Sequence, residues 1–142
     1  MIFIDTGGWL SVAVTTDGFH QAGLSCYSTL LEHSIRLFTS NFVLDETITR
    51  IRYDYGHTQA VQFCDLYQQA ERKGFVTTLW VDPPVVDESL EIFRKYSDQR
   101  FFFSDCTSFV LMKHHSLTEA FTFDSHFETL GFIRKPPITL PK

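Results

Sequence analysis

Along the 142-residue chain, short apolar runs alternate with longer stretches whose apolar positions recur every three or four residues. Met1 to Ile4 is one such run, closed by the turn-prone Asp5-Thr6-Gly7-Gly8. From about Asp17 to His33 the positions Ala22, Cys26, Leu30 and Leu31, with Ile35 beyond, keep helical spacing. Leu37 to Thr39 reads as a second short strand, and Ser40 or Asn41 caps a helix with Leu44, Ile48, Ile51 and Tyr55 on one face. Glu46 lies off that stripe. A further amphipathic helix runs from about Thr58 to Lys73, with Ala60, Phe63, Cys64, Tyr67 and Ala70 inward and Gly74 as its stop.

The β-branched and aromatic run Thr77 to Val81 predicts a strand. Pro83-Pro84 then starts a helix that presents Val86, Leu90, Phe93 and Tyr96. Phe101 to Phe103 leads into Ser104 as a cap and a helix from Asp105 to about His115. Ala120 to Phe123 is a strand ending at Asp124. The tail, Arg134 to Lys142, has three prolines and one expected edge strand at Ile138 to Leu140. Strands alternating with helices predict an α/β fold in which a parallel sheet is covered on both faces. Without a repeat, linker or low-complexity tract, residues 1–142 are expected to form a single domain.

Composition narrows the class. A hydrophobic content of 44% with 20% charged residues is that of a soluble globular chain, and fifteen Phe predict an aromatic-rich core. No apolar stretch approaches the roughly 18 residues a membrane span needs, and the start lacks a basic region before its apolar run, so neither a span nor a signal peptide is expected. Cys26, Cys64 and Cys106 are odd in number and widely spaced, which fits a reduced, cytoplasmic setting.

Four carboxylates, Asp5, Glu46, Asp105 and Asp124, stand where an apolar run meets a turn or the first turns of a helix. In an open parallel sheet the strands deliver the residues beyond their carboxyl ends into one crevice. Acids gathered there repel one another and hold raised pKa values unless cations neutralise them. Hard oxygen ligands of this kind suit Mg²⁺ or Mn²⁺, and such a site lowers the pKa of a bound water beside a phosphodiester. The net charge of -5 is poorly suited to a nucleic-acid partner, yet without these four acids the balance is 13 acidic to 12 basic side chains. Singly, each acid has an ordinary explanation. Asp5 and Asp124 are turn residues, Asp105 complements a helix dipole, and Glu46 stands four residues before Arg50 as a surface ion pair would.

The order of motifs strengthens the joint reading. Ser104-Asp105-Cys106-Thr107-Ser108-Phe109, followed by Ala120-Phe121-Thr122-Phe123-Asp124-Ser125-His126-Phe127, resembles the C-terminal signature of PIN-domain ribonucleases, especially VapC-type toxins. Ile4-Asp5-Thr6 resembles that family's opening strand and acid, and Val43-Leu44-Asp45-Glu46-Thr47 its Glu-bearing helix. The resemblance spans Met1 to about Phe132. It implies a three-layer α/β/α sandwich around a short parallel sheet and a Mg²⁺- or Mn²⁺-dependent endoribonuclease. Asp5, Glu46, Asp105 and Asp124 would be its catalytic and metal-binding residues, with Asp5 and Asp105 foremost as direct ligands. Thr6, Ser104 and Thr122 would orient water, metal or phosphate. It further implies an RNA substrate, a cognate antitoxin and a homodimer.

Other residues read more plainly. Asp45 is turned about 100° around the helix from Glu46, and Asp82 beside Pro83 marks a turn. His126 serves capping or packing before phosphate contact. The adjacent His114 and His115 point apart, so zinc is not expected. Arg50, Arg52, Arg94, Lys95, Arg100, Lys113, Arg134 and Lys135 are backbone-contact candidates, and Trp9, Tyr53 and Tyr55 are stacking candidates. Asp5-Thr6-Gly7 also matches the aspartic-protease tripeptide, but that chemistry needs two such Asp on a β-rich scaffold. A haloacid-dehalogenase-type phosphatase would need a second Asp where Gly7 stands. The remaining rival is a non-catalytic PIN-like module that binds RNA or protein, which has no need of four mutually repelling acids.

Overall fold

Ile2, Phe3 and Ile4 are all buried, the mark of a strand covered on both faces rather than one. The computed structural model describes residues 1–137. Its elements in chain order are β1 (Ile2–Ile4), α1 (Thr6–Ala13), α2 (His20–Glu32), β2 (Leu37–Ser40), α3 (Asn41–Tyr55) and α4 (His57–Arg72). They continue with β3 (Val76–Leu79), α5 (Pro83–Lys95), α6 (Phe103–His114), β4 (Glu119–Phe121), α7 (His126–Thr129) and β5 (Ile133–Lys135). The five strands form one parallel sheet in the order β3-β2-β1-β4-β5. Chain direction across the sheet reverses at β1, so right-handed crossovers put α1 to α4 on one face and α5 to α7 on the other.

Two aromatic clusters fill these two layers, in keeping with the phenylalanine content. On one face the fully buried Trp9 meets Tyr27, Phe63 and Tyr67 with ring centroids 5.5 to 6.5 Å apart. Its indole donates to Thr39 Oγ1 (3.1 Å), which in turn donates to the Ile4 carbonyl (3.0 Å), so α1 is tied to β2 and β1 through satisfied polar groups. On the other face Phe109 packs against Phe101, Phe127 and Phe132. Trp9 is therefore a core residue, not a stacking platform for RNA.

Several expected boundaries move. Asp5-Thr6-Gly7-Gly8 is not a turn but the entry to α1: Trp9 N donates to the Asp5 carbonyl at 3.1 Å and closes the first helical turn. Gly8 explains why a helix holds a glycine there. A Cβ at this position would lie 2.5 Å from the Phe121 carbonyl oxygen, so only glycine lets α1 approach β4 this closely. A Cβ on Gly23 would likewise meet the Ser11 side chain, and this seam turns α2 so that Gly23 and Tyr27, rather than Ala22, face inward. α3 is turned slightly too, burying Val43, Thr47 and Ile51 and leaving Tyr55 exposed.

In α5 the buried stripe is Val85, Ser89 and the half-buried Ile92, one residue out of step with the expected one, because Ser89 folds its hydroxyl back onto the Val85 carbonyl (2.6 Å) and passes for a small core residue. Asp82 is the N-cap of that helix and accepts from Val85 N. Ser104 is not the cap of α6, which begins one residue earlier. β4 ends at Phe121, three residues short of Asp124, and β5 falls at Ile133–Lys135. The expected strand at Ile138 to Leu140 lies outside the described residues.

The close approach at Gly8 gives a test. Gly8→Ala forces a backbone carbonyl to move in a central strand, and urea unfolding should show a loss of about 1–3 kcal/mol, the usual cost of overpacking. An unchanged midpoint would contradict this packing of α1 on β4.

Candidate active site

All five strands point the same way, so their carboxyl ends share one edge, where the acids converge. Asp5 follows β1 directly. Its amide donates to the Phe121 carbonyl (3.0 Å) and its carbonyl accepts from Trp9, so both sides of the residue are fixed by neighbouring elements. The carboxylate makes no capping bond to α1 and instead accepts from Thr122 Oγ1 at 3.0 Å. That hydroxyl accepts from Asp124 N (3.1 Å), and Asp124 Oδ1 accepts from His126 N (2.9 Å). One hydrogen-bonded path thus runs from β1 through the loop after β4.

Asp105 comes from the other layer. It is the third residue of α6 and accepts from Phe102 N at 2.9 Å, holding down an amide that the helix leaves without a partner. Glu46, in α3, receives the Ser104 hydroxyl at 2.7 Å and pairs with Arg50 at 3.4 Å. Ser104 therefore orients a carboxylate rather than capping a helix. All four acids line one cleft of about 440 Å³, together with Thr6, Asp17, Phe19, Arg50, Phe102 and Phe123. A larger, mostly apolar groove beside α2 contains none of the four.

The electrostatics are unfavourable by construction. Asp5 and Asp105 are each only 6% exposed. Burial first, then the neighbouring Asp105 and Glu46, push Asp5 up to about 7 against the opposing pull of the Thr6 amide and Thr122 hydroxyl. Asp105 is likewise pushed up to about 7, by burial and by Asp124 and Glu46, with the Phe102 amide opposing. Among the described residues no Lys or Arg pairs with either one; Arg50, which lines the cleft, is paired with Glu46.

The donor set fits a hard divalent cation. Asp105, Asp124 and His126 each offer a ligand atom within 4.8 Å of the others. His126 Nδ1 lies 3.2 Å from Asp124 Oδ1 and 3.7 Å from Asp105 Oδ2, yet makes no directed hydrogen bond, and the buried Thr6 Oγ1 has no partner either. Unsatisfied buried polar atoms facing a carboxylate cleft are what an ion with its waters would satisfy.

The four predicted acids are thus brought together, although the tightest group is Asp105, Asp124 and His126, with Asp5 and Glu46 farther along the same cleft. His126 is more than the capping or packing residue its sequence context suggests; its place beside two acids is legible only as Asp-x-His after a strand. Asp17 and Phe19 are not expected as cleft residues, because the sequence places Asp17 at the start of a helical stretch; α2 begins only at His20, and Asp17 Oδ1 accepts from Phe19 N at 2.8 Å in the turn before it. Of the basic residues considered for RNA contact, Arg50 alone lines the cleft, while Arg134 is held by Glu128 and the Phe123 carbonyl. Tyr53 is 84% exposed, two turns beyond Glu46 on α3.

Comparison with known proteins agrees with this fold. The family model described as the PIN domain matches residues 2–133. The 23S rRNA-specific endonuclease VapC20 of Mycobacterium tuberculosis, in strains CDC 1551 and H37Rv, is 26% identical over 137 residues, covering 96% of this chain and 99% of that protein. The crystal structure of Mycobacterium tuberculosis VapC20, a sarcin-ricin loop cleaving toxin, matches with a TM-score of 0.83 at 26% identity, over 94% of this chain and 97% of that one. FitAcB from Neisseria gonorrhoeae matches in fold, with a TM-score of 0.64 at 17% identity over 94% and 96% of the two chains.

The raised carboxyl pKa values have a consequence for stability. Without metal the folded chain keeps protons on Asp5 and Asp105 up to about 7, whereas the unfolded chain releases them near 3.8. The folded state binds more protons between those values, so stability falls as pH rises through that window and stays lower above it. In EDTA the melting temperature should drop by on the order of 5 °C between pH 5 and pH 8. Mn²⁺ should restore it at pH 8 and do little at pH 5, and Asp5→Asn should flatten the profile. A melting temperature that rises with pH in EDTA, with no response to Mn²⁺, would contradict this picture of the cleft.

Proposed function

Because the chain belongs to the PIN-domain family, we propose that it is a Mg²⁺- or Mn²⁺-dependent endoribonuclease that hydrolyses RNA phosphodiester bonds in the four-carboxylate cleft. One observation carries the reading: acids from separate segments of the chain line one cleft, two of them buried with no Lys or Arg paired to them among the described residues. Stability alone gives no reason to gather them, since a buried unpaired charge costs several kcal/mol.

In this reading Asp5, Asp105, Asp124 and Glu46 hold the cation, with His126 beside them. A bound divalent cation supplies a water of lowered pKa and offsets charge on the phosphate. The chain's own residues do the rest. Thr122 fixes the rotamer of Asp5 while its hydroxyl holds the Asp124 amide, so two acids move as one unit. Ser104 turns Glu46 toward the cleft, and Arg50, half exposed at its rim, supplies positive charge for a phosphate oxygen. Thr6, with its hydroxyl unpartnered, is placed to hold a water.

By likeness to VapC20 we further assign this chain the role of toxin in a toxin-antitoxin pair, acting in the cytoplasm as a homodimer under a cognate antitoxin. No helix among the described residues is long and apolar enough to cross a membrane. The 23S rRNA specificity in that relative's name makes rRNA loops the first substrates to try.

Cleavage of a mixed RNA pool with Mg²⁺, with Mn²⁺ and with EDTA tests the assignment. The expected result is cutting with either metal and none in EDTA. Asp5→Asn and Asp105→Asn should each lower the rate at least about 100-fold, in the range of losses on removing one preorganised electrostatic group. Ser104→Ala, which only frees Glu46 to rotate, should cost less. Metal-independent cutting, or full activity in Asp5→Asn with an unchanged circular dichroism spectrum, would sink the proposal.

A further inference from the structure

Three consecutive phenylalanines lead into the helix that carries Asp105, the third being its first residue, and they meet different fates. Phe101 is buried against Tyr96 and Phe109, and Phe103 packs on Phe42 and Phe93. Phe102 is 64% exposed. Its backbone is nonetheless fixed: its amide donates to Asp105 Oδ2, and its carbonyl accepts from the amides of Asp105 (3.0 Å) and Cys106 (3.3 Å). A large apolar ring is thus held in water by the same residue that helps form the acidic cleft.

The ring stands on a boundary. It lines the acidic cleft, and it also lines an adjoining cavity of about 400 Å³ walled by Phe42 and Phe103. The two spaces share Glu46, Arg50 and Phe102, so the ring stands where a strand with its phosphate at the acids can continue into the second cavity. Asp45 and Thr49, on α3, give the cavity a polar rim. An aromatic wall with a polar rim beside a phosphate-sized acidic cleft matches a flat ring with hydrogen-bonding edges.

We propose that this cavity is a nucleobase subsite: the base of the nucleotide next to the scissile phosphate stacks on Phe102, with its edge toward Asp45 and Thr49. The assignment rests on the ribonuclease reading and deepens it. It makes Phe102 a specificity residue and requires that nucleotide to be unpaired, since a base within a duplex has no open face to stack. It also gives Asp45 a place, although that carboxylate is turned away from the metal-binding acids.

A stacking readout that does not depend on cleavage separates the two claims. A short unpaired RNA carrying 2-aminopurine, scanned through each position, is titrated with the full chain in Ca²⁺ and in EDTA, while the same preparations are assayed for cutting of the RNA pool in Mg²⁺. The expected result is quenching of the fluorescent base by the wild type and by Phe102→Tyr, lost in Phe102→Ala and kept in Phe75→Ala, whose ring lies at the opposite end of the sheet. Base stacking is worth about 1–3 kcal/mol, so Phe102→Ala should raise KM by about 5- to 150-fold with kcat little changed, and should flatten base preference at one position beside the cut. Quenching without cutting would keep the subsite and remove the nuclease assignment. Cutting without quenching, or Phe102→Ala with wild-type KM and wild-type cut sites, would overturn the subsite and leave the cavity to a peptide segment of a protein partner. Because Phe102 is largely exposed, its truncation leaves the core intact, and Phe102→Tyr guards against a folding artefact.

Discussion

Burial of two carboxylates, Asp5 and Asp105, among further acids is the constraint around which the rest of the molecule is arranged. Loss of water raises both most; Asp105 and Glu46 then raise Asp5 further, and Asp124 and Glu46 raise Asp105. A chain selected for stability alone would place a lysine, an arginine or an apolar side chain there. Here the two acids arrive from different layers, one after a central strand and one in the first turn of a helix, and each is held by a directed hydrogen bond, to Thr122 or to the Phe102 amide. Those bonds fix position while leaving lone pairs free on both carboxylates, which is what a site awaiting a cation requires.

The fold supplies this arrangement by close approach. Glycine at position 8 lets α1 settle against the Phe121 carbonyl, which seats Asp5 beside the loop bearing Thr122 and Asp124. The Trp9–Thr39–Ile4 hydrogen-bond path then locks α1 to both strands on the other side of the residue. Preorganisation of this kind is where binding and catalytic sites draw their strength, because no reorganisation is left to be done when charge develops. Phe102 and the phenylalanines around it extend the same logic outward, since the residue that clamps Asp105 in place also holds an exposed ring at the mouth of the cleft.

Much of this is legible in the residues themselves. The alternation of strand and helix, the four acids and the aromatic core all follow from period and composition, and the acids do meet in one cleft. The parts that are not legible share a cause: they depend on contacts across the chain. Asp5-Thr6-Gly7-Gly8 carries turn chemistry locally, and only the approach of β4 turns Gly8 into a helix requirement. Ser104 has the chemistry of a cap but lies within reach of Glu46, 58 residues away in sequence. Ser89 looks polar until its hydroxyl is returned to its own helix. His126 looks like a cap because its neighbour Asp105 stands on another helix, distant in sequence.

The most direct test of the central claim is the proton balance of cation binding. Calorimetric titration of the full chain with Mn²⁺ at pH 7, in two buffers of different ionisation enthalpy, counts the protons released as the ion enters. If Asp5 and Asp105 are both held up to about 7 as described here, binding expels protons at pH 7 and progressively fewer toward about pH 9, and Asp105→Asn lowers that release. Binding with no proton release at pH 7, or release unaltered by that substitution, would mean that the ion is held elsewhere and that the paired acids are not its site.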